Sequence, residues 1–292
     1  MTIDLRGVFA PVVTPFRAGD EALDLEGFAS NVRFHLADGL RGIVVAGSTG
    51  EAAMLDESER VALASAAREV VPRDRLLIMG TGAESARQSV ARCRAAAAAG
   101  ADAVLVVAPH YYSTAMSREA LAAHYYRVAD ASPVPVMLYN IPKYMHFALP
   151  ADLVAELSEH ANVIGIKDSS GDVDQLKGFL AAQSESFSVI TGSGSALQAG
   201  LEAGARGGIL AVSLFEARLS LEVLAAVRAG DTARASKAQA RLKPLADVIV
   251  AKLGVPGVKA AMDRVGRMGG NPRLPLLPLD AVGRAEVQAL LS

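Results

Sequence analysis

The segment Gly165-Ile166-Lys167-Asp168 places a lysine at the end of an apolar run. A permanent positive charge there is costly unless a carboxylate pairs with it or its proton leaves. An amine that loses its proton in such a place is a nucleophile able to form a Schiff base with a carbonyl substrate. Paired with an Asp or Glu at the rim, it would be a structural cation instead. The other lysines carry less information: Lys177, Lys237, Lys243, Lys252 and Lys259 read as solvated or snorkelling cations on helices, and Lys143 as a loop cation. Tyr139 ends a second apolar run, in Tyr139-Asn140-Ile141-Pro142. Its phenol could relay protons to imine chemistry, or serve as a core aromatic tied to backbone. Gly47-Ser48-Thr49-Gly50-Glu51 follows a third run and offers backbone amides and two hydroxyls suited to a carboxylate, although a plain turn has the same composition.

Other polar positions divide between ligand contacts and local structure. His35, His110, His124, His146 and His160 contain no pair at metal-ligand spacing, so no metal site is expected. His110 and His146 follow apolar runs and are candidates for substrate selection. Gly192-Ser193-Gly194-Ser195 could bind an anion at a helix start, and Ser169-Ser170 reads first as a helix cap.

The elements that must position these residues are legible as rhythm. Eight short aliphatic runs occupy residues 8–13, 43–45, 76–79, 103–107, 134–139, 163–167, 187–191 and 208–212. They are continuous rather than alternating, as strands buried on both faces of a parallel sheet are. Segments of helical character lie between them. Asp56 with Glu59, and Asp172 with Gln175, have capping-box spacing, and the Ala- and Arg-rich stretch 85–99 stops at Gly100. Strand centres recur at intervals of about 30 residues, the length of one βα unit. Eight such units with right-handed crossovers predict a closed (β/α)8 TIM barrel, an α/β fold; the competing open doubly wound sheet lacks a Gly-rich dinucleotide fingerprint. The predicted organisation is a catalytic barrel over 1–229 and a C-terminal helical extension over 230–292, packed on it without a flexible linker. Helices are expected at 216–229, 232–253 and 257–268, broken by Gly230, Gly254 and Pro256. In such a barrel the carboxyl ends of the strands converge on one mouth, which brings the three motifs together.

Taken together and in this order, Gly47-Ser48-Thr49-Gly50-Glu51, Tyr139-Asn140-Ile141-Pro142 and Gly165-Ile166-Lys167-Asp168 resemble the dihydrodipicolinate synthase/N-acetylneuraminate lyase family. The segment 109–150, with Gly171-Asp172 and Gly254-Val255-Pro256-Gly257, looks most like the branch of 4-hydroxy-2-oxoglutarate aldolases. The resemblance implies a cofactor-free lyase of class I aldolase type. In it Lys167 forms the imine with pyruvate or another 2-oxo acid, Tyr139 shuttles protons, and Ser48 and Thr49 hold the carboxylate, Ser48 also joining the relay. It further implies substrate contacts at Gly192 and Ile209, and a homotetramer, a dimer of dimers, in which Tyr111 enters a neighbouring site, with Tyr112 as a rival. The chain departs from the synthase pattern where an Arg-Thr-Gly segment would hold the second substrate: here stands Lys143-Tyr144-Met145-His146-Phe147, without a guanidinium fork. Lys143, Tyr144 and His146 are therefore candidates for recognising the second partner, an aldehyde, and Leu214 and Phe215 are expected to add apolar surface at the mouth. The alternatives are a dihydrodipicolinate synthase, a 2-oxo-3-deoxy-acid dehydratase, and a non-catalytic oxo-acid-binding barrel, since fold alone does not set function.

Composition agrees with an enzyme of this kind. Of 292 residues 51% are hydrophobic and 21% charged, which excludes a disordered chain, and a net charge of −2 without a long basic run argues against nucleic acid. A single cysteine, Cys93, cannot form an internal disulfide. Residues 1–6 do not resemble a secretory signal, and no apolar run approaches the roughly 18 residues of a membrane span. A cytoplasmic enzyme is expected.

Overall fold

Eight parallel strands close into a barrel in the order in which they occur along the chain, in a computed structural model that describes residues 3–292. The first two residues of the segment 1–6 lie outside the described residues. The strands are β1 (Gly7–Pro11), β2 (Gly42–Val45), β3 (Leu76–Gly80), β4 (Ala103–Val107), β5 (Val136–Asn140), β6 (Val163–Asp168), β7 (Ser188–Thr191) and β8 (Gly207–Ile209). Nearly every strand residue is buried, which is why the runs carry no polar alternation. Closure brings β8 against β1, with Gly7 opposite Gly207. A side chain at Gly207 would collide with the backbone of Gly7, so only glycine permits this seam.

The connecting helices start as their caps dictate. At Asp56 the capping box is complete: the side chain receives the backbone of Glu59, and the Asp56 N–H donates to Glu59 Oε2 at 2.9 Å. At Asp172 only half of the expected box forms. Its Oδ1 accepts from Asp174 N at 2.9 Å and Gln175 N at 3.3 Å, while the Gln175 side chain instead receives Asn140 Nδ2 at the mouth. The helix Ala86–Ala98 is capped by Ser85 and ends just before Gly100, which takes φ +91°.

Three elements depart from the sequence expectation by more than two residues. The eighth strand stops at Ile209, and Ala211–Leu214 winds into a 3₁₀ turn held by Ser213 Oγ donating to Leu210 O at 2.6 Å. Pro11, the last residue of β1, has no N–H with which to extend that ladder. The expected helix 232–253 is Thr232–Pro244 followed by a π-helical segment, Leu245–Lys252, because Pro244 cannot donate into the α ladder. The next helix begins at Gly254 rather than 257 and runs to Arg264; Pro256 sits in its first turn, where a missing N–H costs nothing. A further helix, Ala281–Leu290, follows Asp280, whose Oδ1 accepts from Gly283 N.

The C-terminal helices are joined to the barrel by polar contacts as well as apolar packing. Asn31 exchanges two hydrogen bonds with the Met268 backbone at 2.7 and 3.0 Å, and Arg273 grips Glu59 through both guanidinium nitrogens. Lys259, expected to be solvated, is fully buried in the helix Gly254–Arg264. No helix among the described residues is long and apolar enough to cross a membrane.

Candidate active site

Tyr139 and Lys167 are partners in the β5–β6 register, so both side chains turn the same way at the carboxyl ends of neighbouring strands. The next pair, Asn140 and Asp168, turns the other way. Asp168 accepts from Asn140 Nδ2 at 2.7 Å, Ser170 N at 3.1 Å and Ser170 Oγ at 2.7 Å, and burial pushes its carboxyl above the usual carboxylate range. Strand pleating thus separates the lysine from the acid beside it in sequence. Lysine ion pairs form at Lys177, Lys243, Lys252 and Lys259, whereas Lys167 has no carboxylate partner among the described residues. Lys167 is only 6% exposed, and its Nζ lies 4.2 Å from the centroid of the Tyr139 ring.

Ser48 and Thr49 stand across the mouth on the 3₁₀ turn Ser48–Gly50, and Ser48 Oγ is 3.5 Å from Tyr139 Oη. Two non-glycine residues in left-handed backbone bracket this turn, Ala46 at φ +52° and Glu51 at φ +59°. Thr14 Oγ1 donates to Gly50 O at 2.7 Å and ties the turn to the chain after β1.

These residues share a cavity of about 570 Å³. Ile209 lines it at the end of β8, and Gly192 at the end of β7. A Cβ at Gly192 would press on Ser169 and stand 2.8 Å from Lys167 Cε, so glycine there leaves the lysine its place. Gly192→Ala should therefore displace the amine and lower kcat about 100-fold, the scale of a 1 Å misplacement, with the protein still folded. Steady-state kinetics beside a melting curve checks this, and unchanged kcat would show that the amine has room to spare.

The second-partner candidates separate. Tyr144 lines the cavity, and burial pushes its phenol up. Lys143 lines it too, but its Nζ donates to Ala251 O at 2.9 Å. His146 is not part of the lining; it closes the short helix Pro142–Met145 in left-handed backbone at φ +63°. No arginine lines the cavity. Leu214 and Phe215, expected at the mouth, are buried in the core. The apolar wall comes instead from Ala246, Val250, Val255 and Val258 of the helical extension.

Tyr111 and Tyr112 are 76% and 69% exposed, stack edge to face at 4.9 Å, and do not line the cavity of their own chain. Glu84 holds their loop, its Oε2 accepting from the backbone N–H groups of His110 and Tyr111 at 2.9 Å each. His110 Nδ1 lies 3.0 Å from Ala108 O and 3.3 Å from Glu84 Oε1, and the ring stays outside the cavity. Among the described residues no group of three His, Cys, Asp or Glu side chains could hold a metal ion.

The model of the dihydrodipicolinate synthetase family matches residues 4–292. A 4-hydroxy-tetrahydrodipicolinate synthase of Methanoculleus marisnigri is 35% identical over 287 residues, covering 98% of both chains. A probable mitochondrial 4-hydroxy-2-oxoglutarate aldolase of Emericella nidulans is 36% identical, covering 92% of this chain and 88% of that one. Among solved structures, a dihydrodipicolinate synthase of Bacillus anthracis superposes with a TM-score of 0.94 at 32% identity over 99% of this chain and 98% of that one. The chloride-inhibited dihydrodipicolinate synthase of Acinetobacter baumannii, complexed with pyruvate, gives 0.93 at 30% identity over 99% and 98%.

Proposed function

The chain belongs to the dihydrodipicolinate synthetase family of pyruvate-dependent class I lyases and aldolases, and on that premise we propose that it is an aldolase of the 4-hydroxy-2-oxoglutarate type, cleaving or forming a carbon–carbon bond next to pyruvate. The observation that carries the chemistry is a buried lysine without a carboxylate partner, its Nζ packed on a tyrosine ring in a cavity at the barrel mouth. Lys167 Nζ adds to the C2 carbonyl of the oxo acid, water leaves, and the protonated imine draws electrons from the bond at C3–C4. Cleavage releases the aldehyde and leaves an enamine, which takes a proton at C3 and is hydrolysed to pyruvate. The Ser48 and Thr49 amides and hydroxyls hold the carboxylate at C1. Tyr139 carries protons to and from the carbinolamine hydroxyl, which leaves as water, and takes the proton of the C4 hydroxyl as the C3–C4 bond breaks and that oxygen becomes the aldehyde carbonyl, with Ser48 as its neighbour in the relay. Tyr111, exposed in its own chain, continues that relay from a second copy, in a homotetramer built from dimers.

The lining holds no arginine and Lys143 is engaged with Ala251 O, so the guanidinium fork of the synthase pattern is missing here; the distal carboxylate of 4-hydroxy-2-oxoglutarate meets the same lining, and the likeness to the Emericella nidulans aldolase supports the aldolase reading. The names of several relatives favour the synthase as a second reading. A 2-oxo-3-deoxy-acid dehydratase would use the same enamine.

Borohydride reduction in the presence of pyruvate tests the chemistry: a carboxyethyl adduct is expected on Lys167 by mass spectrometry, and its absence would overturn the imine. Product analysis then separates the readings. An aldolase frees pyruvate from 4-hydroxy-2-oxoglutarate, a synthase consumes pyruvate with its second substrate, and a dehydratase accumulates a longer oxo acid.

A further inference from the structure

Glu51 follows the carboxylate-binding turn directly, yet its side chain points away from the cavity and is almost fully buried. Its Oε1 lies 2.5 Å from Lys259 Nζ, and its Oε2 accepts from Arg273 N at 2.8 Å. Both partners belong to the C-terminal extension. Lys259 is itself fully buried: its ammonium donates to Asn271 O at 2.9 Å and faces the Phe16 ring at 4.6 Å, while Arg273 faces the same ring at 4.2 Å. A carboxylate, a carbonyl and a ring face thus meet the ammonium within the buried site.

The backbone explains why such an anchor is needed. Ala46 and Glu51 both adopt left-handed conformations that cost side-chain-bearing residues about 1 kcal/mol or more each, and such strain persists only where surroundings enforce it. A buried ion pair with both ends immobilised supplies that enforcement on the Glu51 side, where surface charges could not. We infer that Lys259 is a positioning residue for the Ser48–Thr49 turn, holding it through Glu51 in the conformation that receives the oxo-acid carboxylate. The extension thereby does more than wall the cavity: it sets the affinity of the barrel's carboxylate site. The inference rests on the reading of that turn given above.

Two measurements test it, one of them independent of the chemistry. The double variant Lys259→Met/Glu51→Gln removes both charges and leaves none buried alone; Glu51→Asp keeps the charges but shortens the tether. In hydrogen exchange of the unliganded protein, either variant should exchange about tenfold faster over residues 47–54 than the wild type, with the strands unchanged. In borohydride trapping, the half-saturating pyruvate concentration should rise about tenfold while the maximal adduct is still reached. A folded variant with wild-type exchange over 47–54 overturns the inference. So does a faster-exchanging variant that keeps its half-saturation. If the double variant does not fold, Glu51→Asp decides by the same readouts. If the wild type itself is not trapped, the imine reading fails, and exchange alone judges the anchor.

Discussion

Lys167→Met should abolish the borohydride adduct and lower turnover by at least about 10⁴-fold, while raising the melting temperature by about 2–4 °C. The opposite signs follow from one fact. Lys167 is 6% exposed with no carboxylate to repay the desolvation of its amine, so the folded state bears a cost that the chemistry requires. Methionine fills nearly the same volume without charge, keeps contact with the Tyr139 ring, and recovers about 1 kcal/mol of that cost. Arginine is the informative control, because its guanidinium does not lose its proton and cannot form the imine. Turnover within tenfold of wild type in the methionine variant would move the nucleophile elsewhere. A lower melting temperature would show that the amine is held by more than the tyrosine face.

How far the molecule could be read from its sequence depends on whether the controlling interaction is local. Strands of a closed parallel barrel are buried on both faces, so each announces itself as an unbroken aliphatic run, and seven of the eight runs end within two residues of the strand they predict. The eighth was overextended because Ala211 and Val212 are equally apolar in a 3₁₀ turn, and apolarity does not distinguish the two. The extension was harder. The α-to-π change at Leu245 follows from Pro244, but the depth of the next helix is set by where it docks. Lys259 shows the limit: helical periodicity marks a cation on a helix, and nothing nearby in sequence reveals Glu51, its partner at the other end of the chain.

The pair proposed for catalysis was legible for the same local reason. Lys167 and Tyr139 each close a strand, and the barrel makes strand ends meet. The candidates for specificity were not, because a loop carries no period. Tyr144 reaches the cavity while His146, two residues on, turns back to cap a helix at positive φ. Tyr111 is a third case, since its proposed partner lies in another molecule, and one chain shows only an exposed ring on a loop held by Glu84.

Tyr139→Phe is the second large effect. It removes one oxygen and keeps the ring on which the Lys167 ammonium rests, so the cavity, the amine position and the pyruvate site should survive. The oxygen's hydrogen-bond neighbour is Ser48 Oγ at 3.5 Å, a distance too long to contribute much stability, and the melting temperature should stay within about 2 °C. What is lost is the proton path. Kcat should fall by about 10²–10⁴-fold with KM changed less than about threefold, while borohydride adduct on Lys167 still accumulates during long incubation. Ser48→Ala should fall less, by about tenfold, and adding it to Tyr139→Phe should cost little more, because two members of one relay are not additive. Fully additive losses would place Ser48 in carboxylate binding alone. A kcat loss below about tenfold in Tyr139→Phe would assign the proton to another donor, and the exposed Tyr111 of a second copy would be the first to replace.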